Sequence, residues 1–299
     1  MTGRSPADRP VVVGVDGSAS ALAAGRWAAA EAVRRGTRLR LVTALTYAPN
    51  RVVEPTRLSG QVRDVLTEHA RSGLVDAAAA ARQVAPDLEV SAGTRTGFPV
   101  DVLAGQAHEA GLLVLGNRGR GGLAGLLVGS VTVALAARAS CPVVVVREDH
   151  PAAGPVVLGV DGEHGSDAAI AFAHESAAAR GVPLIAVHTW TGTEFAPAGP
   201  PVLDWDAVLE QERAVLAERL APWSEKYPDL RVHRTVGRHG AAAALVRLSE
   251  QAQLVVVGSH GHGNLAGLLL GSVSHSVLHR SHCPVAIVRP EAGGSAGAP

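Results

Sequence analysis

The sequence predicts an α/β protein built from two tandem units, each a doubly wound, mostly parallel five-stranded sheet with helices on both faces. Two observations carry this prediction. First, short apolar runs alternate with longer helix-compatible stretches along the 299 residues, as in chains that lay parallel strands between helices. Second, the pattern occurs twice: Gly116 returns as Gly258 and Cys141-Pro142 as Cys283-Pro284, both 142 residues later.

The first half begins with an apolar strand that ends at Asp16. Ser18 or Ser20 can cap the helix that follows, and Gly36 stops it after Arg35. Residues 46–60 are rich in Pro, Thr and Arg and predict a loop, and Pro86 ends the next, alanine-rich helix. The predicted strands are 11–15, 39–44, 88–94, 112–115 and 143–147, and the later helices are 61–84, 99–110 and 130–138.

The second half repeats this order. Its first strand ends at Asp161, and Gly181 stops the helix that runs to Arg180. The predicted strands are 156–160, 184–189, 230–235, 254–257 and 285–289, and the later helices are 206–221, 241–251 and 273–279.

The repeat sets the domain boundaries. Residues 148–154 hold a proline and a glycine and predict a linker between domain 1 at 10–147 and domain 2 at 155–290. We expect a flexible N-terminus over 1–9 and a disordered, small-residue tail over 291–299.

Composition narrows the partners and the compartment. A formal net charge of +0 and a pI of about 7.3 argue against nucleic acid as a partner. The two cysteines each precede a proline and are expected to be small buried residues, which suits a reducing cytoplasm. Residues 121–137 carry no charge, but their repeat copy is interrupted by polar residues, so we predict a glycine loop and a buried helix and no membrane role.

The candidate site is the glycine loop after the fourth strand of each half. Glycines at a strand end that leads into a helix let main-chain N–H groups approach an anion, and the helix start adds unpaired donors and a positive dipole end. The alternative is that these glycines only allow positive φ. The residues concerned are Gly116, Gly119, Gly129 and Ser130, with their copies Gly258, Gly261, Gly271 and Ser272.

This pattern, Gly-x2-Gly-x9-Gly-Ser after a strand, with Asp16-Gly17-Ser18 ending the first strand, resembles the ATP-binding universal stress proteins. The resemblance covers nearly the whole chain as two copies. It implies strand order 3-2-1-4-5, with the ligand between the ends of strands one and four. It also implies ATP as the ligand, two sites per chain with Mg2+ left open, and a nucleotide-dependent role in stress or dormancy response.

The resemblance also implies residue roles. The aspartates Asp16 and Asp161 would contact the adenine–ribose end, although each can also be a turn or cap residue. Backbone atoms at Ala44 and Thr189 would contact adenine. The loop glycines and serines would hold the phosphates, together with the residues that follow the serines, Val131 and Val273.

Neighbouring side chains leave alternatives open. Thr132 and Ser274 can assist the phosphates or cap a helix. The first loop carries Arg118 and Arg120 where the second carries His260 and His262, so the two sites should differ in charge and pH response. His275 and His279 have metal-ligand spacing, but no cysteine or carboxylate accompanies them by spacing, and no metal site is predicted.

The missing residues argue against catalysis. Lys226 is the only lysine, so a Walker-type loop is excluded, and neither loop contains Asp or Glu between its first glycine and its serine. We therefore expect a binding protein and no enzyme. Two rivals stay open: a slow ATPase or nucleotidyl transferase on the same fold, and an interaction module with vestigial pockets.

Assembly is predicted from the fifth strands. Both are apolar, and the strand order implied by the resemblance places them at sheet edges, which need cover. We expect the two halves to pair through these strands as a pseudo-twofold unit, with a homodimer as a further option. The sequence names no downstream partner.

Overall fold

The computed structural model describes residues 9–46, 57–119, 127–161, 166–190, 204–238, 240–259 and 270–290. Some sequence predictions concern residues outside these ranges, namely Arg120, His260, Gly261, His262 and both chain ends. The chain divides after Glu148 into two compact units.

The described residues of the first unit form five strands and four helices in strict alternation. Its strands are β1 (Val11–Gly14), β2 (Leu39–Leu45), β3 (Val90–Thr96), β4 (Leu112–Gly116) and β5 (Val143–Val146). Its helices are α1 (Ala19–Arg34), α2 (Arg57–Val84), α3 (Pro99–Ala107) and α4 (Ser130–Arg138). All strand pairs are parallel, in the order β3-β2-β1-β4-β5. Helix α1 packs against α2 and α3 against α4, so the sheet is covered on both faces.

The second unit repeats the arrangement. Its strands are β6 (Val156–Val160), β7 (Leu184–Trp190), β8 (Val232–Arg238), β9 (Leu254–Gly258) and β10 (Val285–Val288). Its helices are α5 (Asp167–Arg180), α6 (Trp205–Lys226), α7 (Ala241–Leu248) and α8 (Ser272–Arg280). The order is β8-β7-β6-β9-β10 with parallel pairing throughout. Each unit thus has the predicted order 3-2-1-4-5.

The core explains why these runs form central strands. Strands β1, β4, β6 and β9 are short apolar runs whose side chains are buried over nearly their whole length, as expected for parallel strands with helices on both faces. Gly36 and Gly181 end α1 and α5 with φ of 62° and 63°, a left-handed conformation that glycine adopts without a side-chain penalty.

Several predicted boundaries were wrong, at the two edge strands and at four helix ends. Strands β3 and β8 are shifted toward the C-terminus because pairing with β2 and β7 defines them: Leu45 lies opposite Thr96 and Trp190 opposite Arg238. Helix α6 continues through Pro222 to Lys226, beyond the predicted end at 221. Helix α2 starts at Arg57, inside the predicted loop.

Two helices end earlier than predicted. Helices α3 and α7 stop at Ala107 and Leu248 instead of residues 110 and 251. The residues that follow form tight turns instead, in which Ala110 N donates to Ala107 O and Gln251 N donates to Leu248 O.

Two predictions from the sequence concern the burial of the cysteines and the hydropathy of the helices. Cys141 and Cys283 are both buried and form no disulfide, as expected. Across the described ranges, no helix combines the length and the apolar composition that a membrane crossing requires.

Candidate functional site

The site begins where the chain leaves β1. In a sheet of this order the chain leaves β1 and β4 in opposite directions, which opens a crevice beyond their carboxyl ends. Asp16 follows β1, and its Oδ1 accepts from the Ser18 backbone N at 3.0 Å and from Ser18 Oγ at 2.7 Å. Ser18 Oγ in turn accepts from Ala21 N at 3.1 Å, so Ser18 is the cap of α1. Asp16 therefore orders this turn, and its carboxylate remains exposed.

Ser20 was the other candidate cap, and it has a different role. Its side chain is buried, donates to Asn117 Oδ1 at 2.9 Å and accepts from the Arg118 backbone N at 3.3 Å. A Cβ on Gly116 would lie 2.3 Å from Ser20 Oγ and 2.8 Å from the Ser20 carbonyl carbon. Glycine at 116 is thus required for α1 to pack against the end of β4.

Asn117 closes the loop, and the sequence analysis did not single it out. Its backbone N donates to Val146 O at 2.9 Å, and its backbone O accepts from Gly129 N at 2.8 Å. Its amide Nδ2 donates to Leu127 O at 3.3 Å. These bonds bring the residues after β4 beside the start of α4, although nine residues separate Gly119 from Gly129. The signal for it in the sequence was an amide side chain between two glycines, Gly116 and Gly119.

The conformations of the loop glycines decide between the two explanations offered for them. Gly116, Gly119, Gly129, Gly258 and Gly271 all lie outside the positive-φ region, with Gly129 at −73° and Gly271 at −63°. The alternative that these glycines serve to allow positive φ is therefore wrong. What they share is the missing side chain.

Gly119 and Gly129 face each other across the loop. A Cβ on Gly119 would lie 2.7 Å from Asp16 Oδ2, which places this glycine beside the aspartate that ends β1. A Cβ on Gly129 would find its nearest neighbours at 3.9 Å, among them the Gly119 backbone N. That is ordinary contact distance, so the fold itself does not demand glycine at 129.

The start of α4 points its first-turn N–H groups toward this loop. Gly129 is the N-cap and supplies no side-chain acceptor, and Ser130 and Val131 follow as the first helical residues, with Ser130 exposed. Thr132 is buried and its Oγ1 donates to Gly116 O at 3.1 Å. The expectation that Thr132 caps the helix is wrong; it fixes α4 to the end of β4.

The second unit reproduces the same backbone. Ser259 N donates to Val288 O and Gly271 N donates to Ser259 O, both at 2.8 Å. Ser274 Oγ donates to Gly258 O at 2.5 Å, as Thr132 does to Gly116 O, so it is no cap either. Gly271 is again an N-cap without a side-chain acceptor, and Ser272 and Val273 begin α8.

Asp161 differs from Asp16 in its local bonds. Its backbone N donates to Ser166 Oγ at 3.1 Å, and Ser166, a buried residue that the sequence analysis did not select, precedes α5. Ala44 and Thr189 are half-buried and stand one residue before the ends of β2 and β7, next to β1 and β6. The predicted site residues that the structure describes, all except Gly261, therefore lie at the carboxyl edge of their own sheet.

Two polar residues next to those strand ends were also missed. Thr43 Oγ1 donates to Val15 O at 2.8 Å. His188, at the equivalent repeat position, places Nδ1 3.1 Å from Val160 O and Nε2 2.9 Å from Glu212 Oε2. Polar residues at matching positions of otherwise apolar strands were the signal.

The remaining chemistry of the described residues is limited. Burial raises the pKa of the Cys141 thiol to about 12, so this cysteine is protonated at neutral pH and is no nucleophile. His275 and His279 have ring centroids 4.4 Å apart. In the described part of the chain, no group of three or more His, Cys, Asp or Glu side chains is arranged to hold a metal ion.

Comparison with known proteins extends these findings. The universal stress protein family model matches residues 9–147 and again 153–289. A universal stress protein of Mycobacterium tuberculosis is 41% identical over 292 residues, covering 93% of this chain and 96% of its own. A universal stress protein of Mycolicibacterium smegmatis is 40% identical over 300 residues, covering 96% and 99%.

Solved structures show the same fold. The crystal structure of a universal stress protein from Archaeoglobus fulgidus superposes with a TM-score of 0.66 at 18% identity, covering 94% of this chain and 98% of its own. A universal stress protein solved in complex with cAMP is 30% identical and matches 46% of this chain and 99% of its own, with a TM-score of 0.36. With two family matches and relatives of 40% and 41% identity that cover at least 93% of it, the chain belongs to the universal stress protein family as a tandem of two such domains.

Proposed function

We propose that each unit binds one adenine nucleotide, ATP in the first instance, at the carboxyl edge of its sheet, and that the protein acts as a nucleotide-dependent regulator in stress response. The observation that carries the proposal is Gly129. Its backbone would accept any residue, and the described residues around it leave space for a Cβ, yet a side chain there would cover the Gly119 N–H. Glycine at this position is explained by a ligand that approaches the backbone.

The chemistry of the loop suits phosphate. Gly119 and Ser130 are exposed, and the first turn of α4 offers backbone N–H groups and the positive end of the helix dipole. The second unit presents the same arrangement at Gly271 and Ser272. A phosphate chain bound between the loop and the helix start would accept from these donors without a lysine.

The nucleoside end would lie along the neighbouring strands. The exposed Asp16 carboxylate can accept from a ribose hydroxyl, and the backbone near Ala44 stands beside it at the end of β2. Asp161 and Thr189 hold the same places in the second unit. Mg2+, if bound with the nucleotide, would keep mostly phosphate and water ligands, because in the described part of the chain no cluster of carboxylates stands ready for it.

A matched pair of variants tests the proposal. Leucine at 129 or 271 suits the backbone of either N-cap, where φ and ψ are extended, and covers the donors of one site only. We expect calorimetry to find two equivalents of ATP per wild-type chain, one in Gly129→Leu, one in Gly271→Leu and none in the double variant.

Acid extraction of the purified protein, with chromatography of the released nucleotide, identifies the natural ligand without assuming it. Competition between ATP, GTP and cAMP then separates recognition of the base from recognition of the phosphate chain. A preference for guanine, or two equivalents of ATP still bound by the double variant, would overturn the proposal.

A further inference from the structure

The two units use different side chains to hydrogen-bond the same backbone carbonyl, and in the second unit that side chain is a histidine. The carbonyl of the residue before each site aspartate needs a hydrogen-bond donor. In the first unit the Thr43 hydroxyl donates to Val15 O at 2.8 Å. In the second unit the donor is the His188 ring, with Nδ1 3.1 Å from Val160 O. A hydroxyl does not change its charge with pH, whereas imidazole does.

The contacts of His188 fix where its protons are. Val160 O can only accept, so Nδ1 carries a hydrogen. Nε2 lies 2.9 Å from Glu212 Oε2, and an ionised carboxylate also only accepts. The hydrogen bond at Nε2 therefore needs one more proton, carried either by the ring or by the carboxyl. The side chains of His188 and Glu212 are only 6% and 15% exposed, which keeps water from replacing the hydrogen bond between them.

The pair acts directly on the site. Val160 O belongs to the peptide bond that joins Val160 to Asp161, and the N–H of the same peptide donates to Ser166 Oγ at 3.1 Å. A continuous hydrogen-bonded chain thus runs from Glu212 through the ring and this peptide to Ser166, the residue before α5. Bonds in such a chain strengthen one another, and the protonated ring donates at both ends.

We propose that nucleotide binding at the second site is coupled to the shared proton of His188 and Glu212, whereas binding at the first site lacks this coupling. The inference rests on the proposed function. With the proton in place, the hydrogen-bonded chain holds the Val160–Asp161 peptide and the pair of His188 and Glu212 has no net charge; without it the pair is net negative. When the proton leaves, the Nε2 lone pair faces the carboxylate, the two groups repel, and the peptide loses its fixed position. His188 is therefore a positioning residue.

Other charged groups lie on the elements around His188. They are Asp161 after β6; Arg234 and Arg238 on β8, the latter stacked on Trp205 at 3.6 Å; Glu210 and Arg213 on α6, which pair with each other; and Asp167 on α5, paired with Arg219 at 3.2 Å. The test must also separate His188 from the histidines that lie near the second loop in sequence, His260, His262, His275 and His279.

The test uses the full chain with one site closed. In Gly129→Leu only the second site should bind, and in Gly271→Leu only the first. The Gly271→Leu variant is also the control for protonation of the nucleotide itself. Affinity for ATP is measured by calorimetry between about pH 6 and 8.5, where histidine changes charge. We expect the second site to weaken about tenfold more than the first over this range, a typical coupling between two sites.

Two variants in the Gly129→Leu background assign the effect. His188→Thr copies the first unit and should remove the additional pH dependence. Glu212→Gln should remove it too while binding is kept, because the amide can donate to Nε2 of a neutral ring and complete the chain without the extra proton. A purely structural role for His188 would leave the pH profile of Glu212→Gln unchanged.

The outcomes are distinct. An additional pH dependence that persists in both variants would assign it to the other histidines and overturn the inference, as would a second site with the same pH profile as the first. Absence of nucleotide binding at every pH, in the wild type as well, would overturn the proposed function together with it.

Discussion

Gly116 and Gly129 belong to the same loop, but the missing side chain serves two purposes. At Gly116 it lets α1 approach β4, since a Cβ would lie within 3 Å of three Ser20 atoms. At Gly129, among the residues that the structure describes, the same Cβ would touch nothing closer than 3.9 Å. The first glycine is explained by packing inside the unit, and for the second we propose the approach of a ligand. Substitutions at the two positions should therefore fail in different ways.

Gly116→Ala should lower the free energy of unfolding by about 1–3 kcal/mol, because the main chain of Ser20 has to move. Gly129→Ala is the matched control: its φ of −73° suits alanine, and loss of unfolded-state freedom should raise stability by about 0.4–1 kcal/mol. Urea unfolding followed by circular dichroism measures both. Equal stability of the two variants would contradict the packing role of Gly116.

The serine hydroxyls should contribute modestly. Ser130 and Ser272 are exposed at the first position of α4 and α8, so alanine there should leave stability within about 0.5 kcal/mol of the wild type. Loss of one hydrogen bond should weaken ATP at the affected site by about 1 kcal/mol, roughly fivefold. Calorimetry in the single-site backgrounds measures this; a loss of all binding would show that the hydroxyl carries the phosphate and the backbone does not.

At the scale of elements, local pattern predicted the central strands well and the edge strands poorly. Runs such as Leu112–Leu115 are apolar because helices cover both faces, so hydropathy alone located them. Strand β3 (VSAGTRT) has little hydrophobic signal, and its ends follow from pairing with β2, which no local window contains. For the candidate site, spacing selected the glycines and the resemblance implied the aspartates, and their ligand roles stay predictions. Asn117, Thr43 and His188 act through contacts between elements, which the sequence pattern does not display.

Helix α5 provides a pH-dependent element of a different kind. His174 is fully buried, its Nδ1 donates to Ile170 O at 2.8 Å, and its ring stacks on Trp223 and Tyr227 of the α6 end. Burial lowers its pKa from the usual 6.5, so the ring is neutral in the folded state. The unfolded chain then binds a proton more readily than the folded one, and stability is lost as the pH falls below about 6.5.

His174→Phe should keep the stacked ring and remove this titration. We expect the wild type to lose urea resistance between about pH 7.5 and 5 and the variant to lose less of it. His108, an exposed histidine after α3, gives the control: His108→Phe should follow the wild type. The expectation fails if His174→Phe and the wild type have parallel pH profiles.

At the scale of the whole molecule, the tandem repeat gives one chain two candidate sites with different side chains. The first candidate site has an arginine, Arg118, in its loop and a hydroxyl, Thr43, behind its aspartate. The second has an ionisable pair, His188 and Glu212, in the place of Thr43. Under the two proposals made above, duplication would let one protein respond to nucleotide and to pH separately. Pairing of the halves through their fifth strands, and a homodimer, stay predictions.

The last prediction is that ATP is held far longer than it is consumed. Phosphoryl transfer needs charge neutralisation and an oriented attacking group, usually from Lys, Arg and a metal held by side chains. In the proposed site, backbone N–H groups at Gly119 and the α4 start would bind ground-state phosphates, and equal binding of ground and transition states does not speed the chemical step. Asp16 lies beside Gly119, since a Cβ on Gly119 would be 2.7 Å from Asp16 Oδ2, and its Oδ1 already orders the Ser18 turn.

We therefore expect turnover far below the usual enzyme range of about 1–1000 per second. Radiolabelled ATP, incubated with wild type and with the Gly129→Leu/Gly271→Leu double variant, measures it, and the double variant reports contaminating hydrolase. Residual hydrolysis should be equal in the two proteins. Hydrolysis at ordinary enzyme rates that disappears in the double variant would instead place the protein among the enzymes, since only a site at these glycines is lost there.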